Sequence, residues 1–144
     1  MSGGCARATA DESHGPVQEA IRTEQAPAAI GPYSQAIRCR GENWIFTAGQ
    51  IGLDPRTGAL VPGGVRAECD QALRNLRAVL EAGGASLGRV VKVTVFLLDM
   101  GEFAEMNAVY ETFFTAPFPA RSAAQVSALP RGARVEVEAV ALGG

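Results

Sequence analysis

The sequence predicts an α+β fold in which one mixed β-sheet carries two helices on a single face. Three observations lead there. Two stretches, Val65 to Ala82 and Phe103 to Phe114, repeat apolar residues at helical spacing. Between them stands "VVKVTVFLL", Val90–Leu98, a β-branched run long enough for a central strand. Short apolar runs bounded by Gly, Pro and Asn precede the first helix and follow the second. The order is ββ(β)αβαββ, and only connections through the helices can be parallel crossovers, so the sheet is mixed.

Each element has its own signal. Residues 1–22, "MSGGCARATADESHGPVQEAIR", have weak periodicity and many small or polar residues, and read as a flexible extension with a helical turn around Val17–Ile21. Residues 23–144 then form a single domain. "SQAIRCRGENWIFTAGQIGL" holds two apolar runs separated by "RGEN", a hairpin signal, and "LDPRTGAL" is a turn between strands. Cys69, Ala72, Leu73, Leu76, Val79 and Leu80 form the apolar stripe of the first helix, and Gly83-Gly84 stop it. Asp99 with Glu102 three residues on resembles a capping box for the second helix. Its stripe is Phe103, Met106, Val109, Tyr110, Phe113 and Phe114, and "APFP" ends it. The last strands span Arg121–Ser127 and Ala133–Leu142 and are joined by "LPRG".

In the central strand, Val91, Val93, Val95 and Leu97 point to one face, whereas Val90, Phe96 and Leu98 share the other with Lys92 and Thr94. Two helices cover one face only. The second is too apolar for water, which predicts packing against another copy of the chain.

Composition removes several classes of function. The chain has 144 residues, 47% apolar and 19% charged, with a net charge of −2 and Lys92 as the only lysine. No basic run supplies the footprint of sequence-independent nucleic-acid binding. No apolar stretch approaches the ~18 residues of a membrane span, and the acidic first twenty residues do not read as a secretory signal. Cys5, Cys39 and Cys69 lack ligand spacing and are odd in number, which points to a reducing, cytoplasmic location and no disulfide framework. The only histidine, His14, lies in the N-terminal segment. A Ser-His-Asp triad, a histidine metal site and a ribonuclease-type acid–base pair are therefore not expected.

Arg121 stands at the entrance of a strand otherwise made of small and apolar residues. Either it is an exposed strand-edge arginine with its stem over apolar neighbours, or its planar fork, in a clearing made by Ala120, Ser122 and Ala123, captures a carboxylate. Glu136 and Glu138 project to one strand face. Glu138 reads as solvated, while Glu136, nearer the hairpin expected to return to the Arg121 strand, is the candidate to accept a proton from water. Asn107 interrupts the apolar stripe between Phe103 and Tyr110, and its amide serves either a structural bond or a ligand. Tyr33 follows the Gly31-Pro32 turn, either as a packed aromatic or as a presented hydroxyl. Gly49 marks a bulge or the close approach of a ligand or another backbone.

Together the segments "APAAIGPYSQA", "IFTAGQIGLDPRTGAL", "VVKVTVFLLDMGEFAEMNAVYETFF" and "FPARSAAQV…LPRGARVEVEAVA" closely resemble the RidA (YjgF) family of enamine/imine deaminases. The likeness runs in order from about Arg22 to Leu142. It implies a chorismate-mutase-like fold and a homotrimer with a ligand cleft between neighbouring subunits. By this resemblance Arg121 holds the substrate carboxylate, Tyr33, Asn107 and Glu136 occupy site positions, and the Gly49 backbone lines the pocket. The implied reaction is cofactor-independent and metal-free hydrolysis of 2-imino acids and their enamine tautomers, such as 2-aminoacrylate or 2-iminobutanoate, to 2-oxo acids and ammonia.

Two positions depart from the family pattern. Ala123 stands where many members carry Cys, and Ala48 where many carry Ser. Both bear on which imine is preferred. A non-catalytic binding or chaperone-like protein, or a paralogue acting on another small carboxylate, is the competing reading.

Overall fold

A computed structural model describes residues 17–144. It contains β1 (Val17–Ile21), β2 (Ala36–Arg40), β3 (Trp44–Phe46), α1 (Gly64–Ala82), β4 (Val90–Leu97), α2 (Phe103–Tyr110), β5 (Ala120–Gln125) and β6 (Val135–Leu142). Strands β3, β6, β4 and β5 form a mixed sheet in that order, and β1 pairs with β2 in a separate antiparallel ribbon. Only the β4–β5 pair is parallel, and its crossover is α2. The expected mixed α+β architecture is present.

The helix side of the sheet is the core. Cys69, Leu73, Leu76 and Leu80 of α1 and Met106 and Tyr110 of α2 are fully buried, in one cluster with Val93, Val95, Leu97, Val135 and Val137. Burying each such leucine is worth roughly 1.5–3 kcal/mol relative to leaving it in water. Gly84, at φ +83°, ends α1 in a left-handed conformation that a side chain resists. The turn that follows β3 is tied down on α1 by Asn75, whose Nδ2 donates to the carbonyls of Ile51 (3.2 Å) and Leu53 (2.8 Å). Leu53 and Leu60 bridge across the "DPRTGA" turn, as expected.

Among the described residues no helix lies on the other face. Lys92, Thr94, Phe96, Glu136, Glu138 and Val140 are half-buried there, and Phe46 is 74% exposed. Among the described residues helices cover one face only, in agreement with the sequence pattern, but Val90 is corrected: a register shift between Val90 and Lys92 carries it into the helix-side core rather than onto the open face.

Four further local expectations are corrected. Val17–Ile21 is a strand rather than a helical turn, with every residue paired to β2, so regular structure begins inside the stretch assigned to the extension; residues 1–16 lie outside the described residues. The "RGEN" segment does not close a hairpin. Strand β2 pairs with β1, in a connection fastened by Gln35, whose Nε2 donates to the Pro27 carbonyl at 2.6 Å and whose Oε1 accepts from the Thr23 N–H at 2.8 Å. Strand β3 pairs instead with the C-terminal strand, Ile45 opposite Ala141. Asp99 caps only a 3₁₀ turn by accepting from the Gly101 N–H at 2.8 Å; the Glu102 carboxylate turns away to an ion pair with Arg134, so no capping box forms. Finally, β5 and β6 are not a hairpin, because β4 lies between them.

Candidate active site

The crossover through α2 places Arg121 beside that helix. Arg121 is level with Val93 of β4 and points to the same, helix-covered face. On α2, Phe103, Asn107 and Tyr110 follow the i, i+4, i+7 spacing that puts side chains on one side of a helix. All three meet the guanidinium. Its Nη1 donates to Asn107 Oδ1 at 2.6 Å, and its Cζ lies 4.6 Å from the Tyr110 ring centre and 5.5 Å from that of Phe103.

Tyr33 arrives from a distant part of the chain by a backbone staple. Ser34 bridges to Ala120, its N–H donates to the Pro119 carbonyl at 3.1 Å, and its hydroxyl donates to the Phe118 carbonyl. The preceding residue is thereby set against the entrance of β5, with the Tyr33 ring centre 5.7 Å from the Arg121 Cζ. Tyr33 Oη accepts a long bond, 3.4 Å, from the Ile30 N–H. Gly31 is also adjacent, since a Cβ built on it would touch both Asn107 Nδ2 and the Tyr33 ring at ordinary contact distance. A cavity of about 530 Å³ opens beside this loop, lined in part by Arg22, Glu24, Gly31, Tyr33 and Phe118.

Arg121 is half-buried and forms no salt bridge among the described residues. Burial pulls its pKa down from the ordinary arginine value, opposed by Tyr110, Tyr33, Glu111 and Cys69. A guanidinium does not lose its proton in a protein, so it persists as a partly desolvated cation without a salt-bridged carboxylate among the described residues. Two neutral acids lie nearby: burial pushes the Cys69 thiol up to about 12 and holds the Tyr110 phenol well above the usual tyrosine range.

Glu136 is elsewhere. It stands opposite Phe96 in the β4–β6 pair, whereas Arg121 is level with Val93, three residues earlier on β4. An odd offset reverses the face. Glu136 therefore lies on the open side of the sheet, and within one chain it does not share a cavity with Arg121. The expectation that a β5–β6 hairpin would bring them together is overturned by the intervening β4.

Gly49 accompanies Glu136 rather than Arg121. Thr47 pairs with Ala139 and Gln50 with Val137 through backbone hydrogen bonds, so three steps along one strand match two along the other. That is a bulge at Ala48-Gly49. A Cβ on Gly49 would overlap Glu136 Oε1. Of the two sequence readings of Gly49, the bulge holds; what approaches it closely is the Glu136 side chain rather than another backbone.

The structure thus brings Tyr33, Asn107 and Arg121 together on one face and Gly49 and Glu136 together on the other. Phe103 and Tyr110 read in sequence only as an apolar stripe. Their spacing around Asn107 was the available signal, but it acquires meaning only once β5 is known to lie beneath α2.

Residues 23–143 match the family model described as Endoribonuclease L-PSP. The chain belongs to the RidA (YjgF) family. A Mus musculus relative, named 2-iminobutanoate/2-iminopropanoate deaminase, is 52% identical over 128 residues, covering 89% of this chain and 93% of the relative. Among solved structures, the YjgF gene product of E. coli superposes with a TM-score of 0.67 at 47% identity, over 86% of this chain and 98% of that one. E. coli TdcF, solved with serine bound, gives a TM-score of 0.68 at 40% identity, over 88% and 99% of the two chains. These RidA-family structures agree with the two-helix mixed sheet described above. Among the described residues no helix is long and apolar enough to cross a membrane.

Proposed function

We propose that this RidA-family chain is an imine deaminase that hydrolyses 2-imino acids of the 2-iminobutanoate and 2-iminopropanoate type. The observation that carries the reading is Arg121: a half-buried cation, pinned by Asn107 and faced by three aromatic rings, with no carboxylate of its own. Such a group is poised for an anionic ligand, and its planar fork suits a carboxylate. The deaminase name of the mouse relative supplies the substrate class. Serine in TdcF, a small amino acid with a carboxylate, accords with it.

In this reading Arg121 fixes the substrate carboxylate and Asn107 fixes Arg121. Tyr33 and Phe103 wall the space beside the guanidinium. A protonated imine is electrophilic without further activation, so the protein must chiefly position water and handle protons. Glu136 takes a proton from the attacking water as the C–O bond forms at the imine carbon. Returning that proton to nitrogen makes the amine of the carbinolamine a leaving group; C–N cleavage releases ammonia as the hydroxyl gives up its proton to it, which yields the 2-oxo acid and ammonium. The sum is one iminium acid plus one water giving one 2-oxo acid plus one ammonium ion. No metal or cofactor takes part.

Glu136 reaches Arg121 only if a second copy packs on the open sheet face. We therefore propose a homotrimer with each site made by Arg121, Asn107 and Tyr33 of one copy and by Glu136, seated against Gly49, of its neighbour. Half-buried Phe96 and Val140 and exposed Phe46 on that face support such packing. Their exposure also favours the second reading, a chaperone-like binding protein.

One assay separates the two. Imine generated in situ by a dehydratase is trapped with semicarbazide, and its loss is compared for the wild type and Arg121→Ala. Faster loss with the wild type alone supports the deaminase. No acceleration by either protein, with the assembly intact, would sink it and favour the binding role, which does not depend on one guanidinium.

A further inference from the structure

We infer that Tyr110 is a positioning residue for Arg121: its ring is the base on which the guanidinium rests. The inference rests on the reading of Arg121 as the carboxylate anchor, but its geometry stands alone. Arg121 has a long, rotamer-rich side chain, and Asn107 holds only one of its nitrogens, Nη1. A single hydrogen bond leaves the planar group free to turn about that contact. Packing over a ring restricts this freedom, because moving the group off the ring forfeits its contact with the negative aromatic face. Among the rings around Arg121, that of Tyr110 is nearest, at 4.6 Å from Cζ, against 5.5 Å for Phe103 and 5.7 Å for Tyr33.

Tyr110 is itself immobile. It is fully buried, it stacks on Phe114 with ring centres 4.5 Å apart and planes at 28°, and it belongs to the core cluster with Leu73 and Val93. The floor beneath Arg121 is thus continuous with the hydrophobic core, whereas Tyr33 and Phe103 are half-buried and stand toward the periphery. Asn107 and Tyr110 lie one turn apart on α2, so hydrogen bond and ring are set by one rigid element. Together they hold the guanidinium plane and leave the Nη2 and Nε edge as the fork for a carboxylate.

The ring acts here, not the hydroxyl. Tyr110 Oη is buried and finds no hydrogen-bond partner among the described residues. Removing it leaves no donor or acceptor unsatisfied, and keeping the ring keeps the stack. Tyr110→Phe is therefore the conservative variant that retains positioning, and Tyr110→Met, similar in bulk but without an aromatic face, is the variant that loses it.

The test reads Arg121 directly and then its ligand. In the wild type the Arg121 Hδ protons should resonate upfield through the ring current of Tyr110, and the Nε–Hε vector should have a high order parameter. Both should persist in Tyr110→Phe, and both should fall in Tyr110→Met. By titration calorimetry, 2-oxobutanoate should bind wild type and Tyr110→Phe within about twofold of each other and Tyr110→Met on the order of tenfold more weakly. In imine turnover the same loss should appear mainly in KM, with kcat little changed. An unshifted Arg121 in the wild type overturns the inference whatever the variants do, including Tyr110→Met failing to fold. Equal rigidity in Tyr110→Met, or a loss in Tyr110→Phe as large as in Tyr110→Met, overturns it as well. Failure of the parent reading looks different: the wild type would not bind 2-oxobutanoate although Arg121 is stacked and rigid.

Discussion

The two faces of the central sheet are finished to different degrees. On the helix side, Arg121 is held by Asn107 and by aromatic rings from two distant segments, and the surrounding core is closed. On the open side, Lys92, Glu136 and Glu138 are half-buried beside apolar groups, and none has a salt-bridge partner within the described chain. On the proposed reading, one chain builds the carboxylate-binding half of a site and leaves the proposed proton-handling group, Glu136, unaccompanied. The proposed site between two copies would let two groups that a strand separates in every copy act together.

Replacing the central residue of the finished side should have the largest effect. Arg121→Ala should lower kcat/KM for imine loss by on the order of 10³-fold, because both orientation and charge complementarity are lost. Its melting temperature should change little, because losing the Asn107 hydrogen bond and ring contacts is offset by removing a partly desolvated cation that has no salt bridge. Loss of folding instead would make Arg121 a structural residue and erase the contrast. On the open side, Glu136→Gln should lower kcat by about 10²-fold, within the range for a single acid–base group, while calorimetric binding of 2-oxobutanoate stays near wild type. A comparable loss of binding would place Glu136 on the carboxylate side of the reaction.

Gly49→Ala sharpens the same division. The added Cβ overlaps Glu136 Oε1, so the carboxylate must move while Arg121 is untouched. Turnover should fall by roughly tenfold or more, again without loss of 2-oxobutanoate binding. Equal turnover would mean that the position of Glu136 is not critical.

Two smaller predictions concern the core beneath the finished side. Glu68, 6% exposed, accepts from the Arg134 N–H at 2.9 Å. Glu68→Ala should cost about 1–3 kcal/mol in denaturant melts by leaving that N–H unpaired, with kcat/KM of the folded fraction unchanged. Cys69 supplies a pH dependence. Its thiol is raised from 9.0 to about 12 by burial, so the native state keeps the proton over a range where the unfolded chain releases it. Stability is then fully present below about pH 9 and declines as pH rises from there toward 12. Cys69→Ala should flatten the first part of that decline; an unchanged slope would show that other groups dominate it.

Periodicity within a segment made several elements legible. The α1 stripe, the β-branched run of β4 and the inference that helices cover only one face follow from local spacing, and the structure agrees except at Val79, which is exposed. Pairing between segments was not legible in the same way. "RGEN" has a hairpin's composition, yet the partner of β2 is a strand read as a helical turn, and the partner of β3 is at the C-terminus. The short "LPRG" connection suggested that β5 and β6 are neighbours, but β4 offers a strand whose Val91, Val93 and Val95 are buried and which pairs on both edges. Glu102 fits a capping box until Arg134, remote in sequence, presents a stronger partner. For the site, Arg121 and Asn107 were visible as residues that break an apolar pattern. Their contact, the aromatic floor and the separation of Glu136 depend on strand order, which no local pattern encodes.

The most direct measurement mixes two impaired proteins. Arg121→Ala and Glu136→Gln chains, unfolded together and refolded as an equimolar mixture, form assemblies containing both. If each site takes Arg121 from one copy and Glu136 from its neighbour, about a quarter of the sites in a random mixture regain both groups, and imine hydrolysis returns at a corresponding fraction of wild type. If activity in the mixture stays at the sum of the two separate variants, with mixed assemblies verified by mass spectrometry, the site does not span two copies.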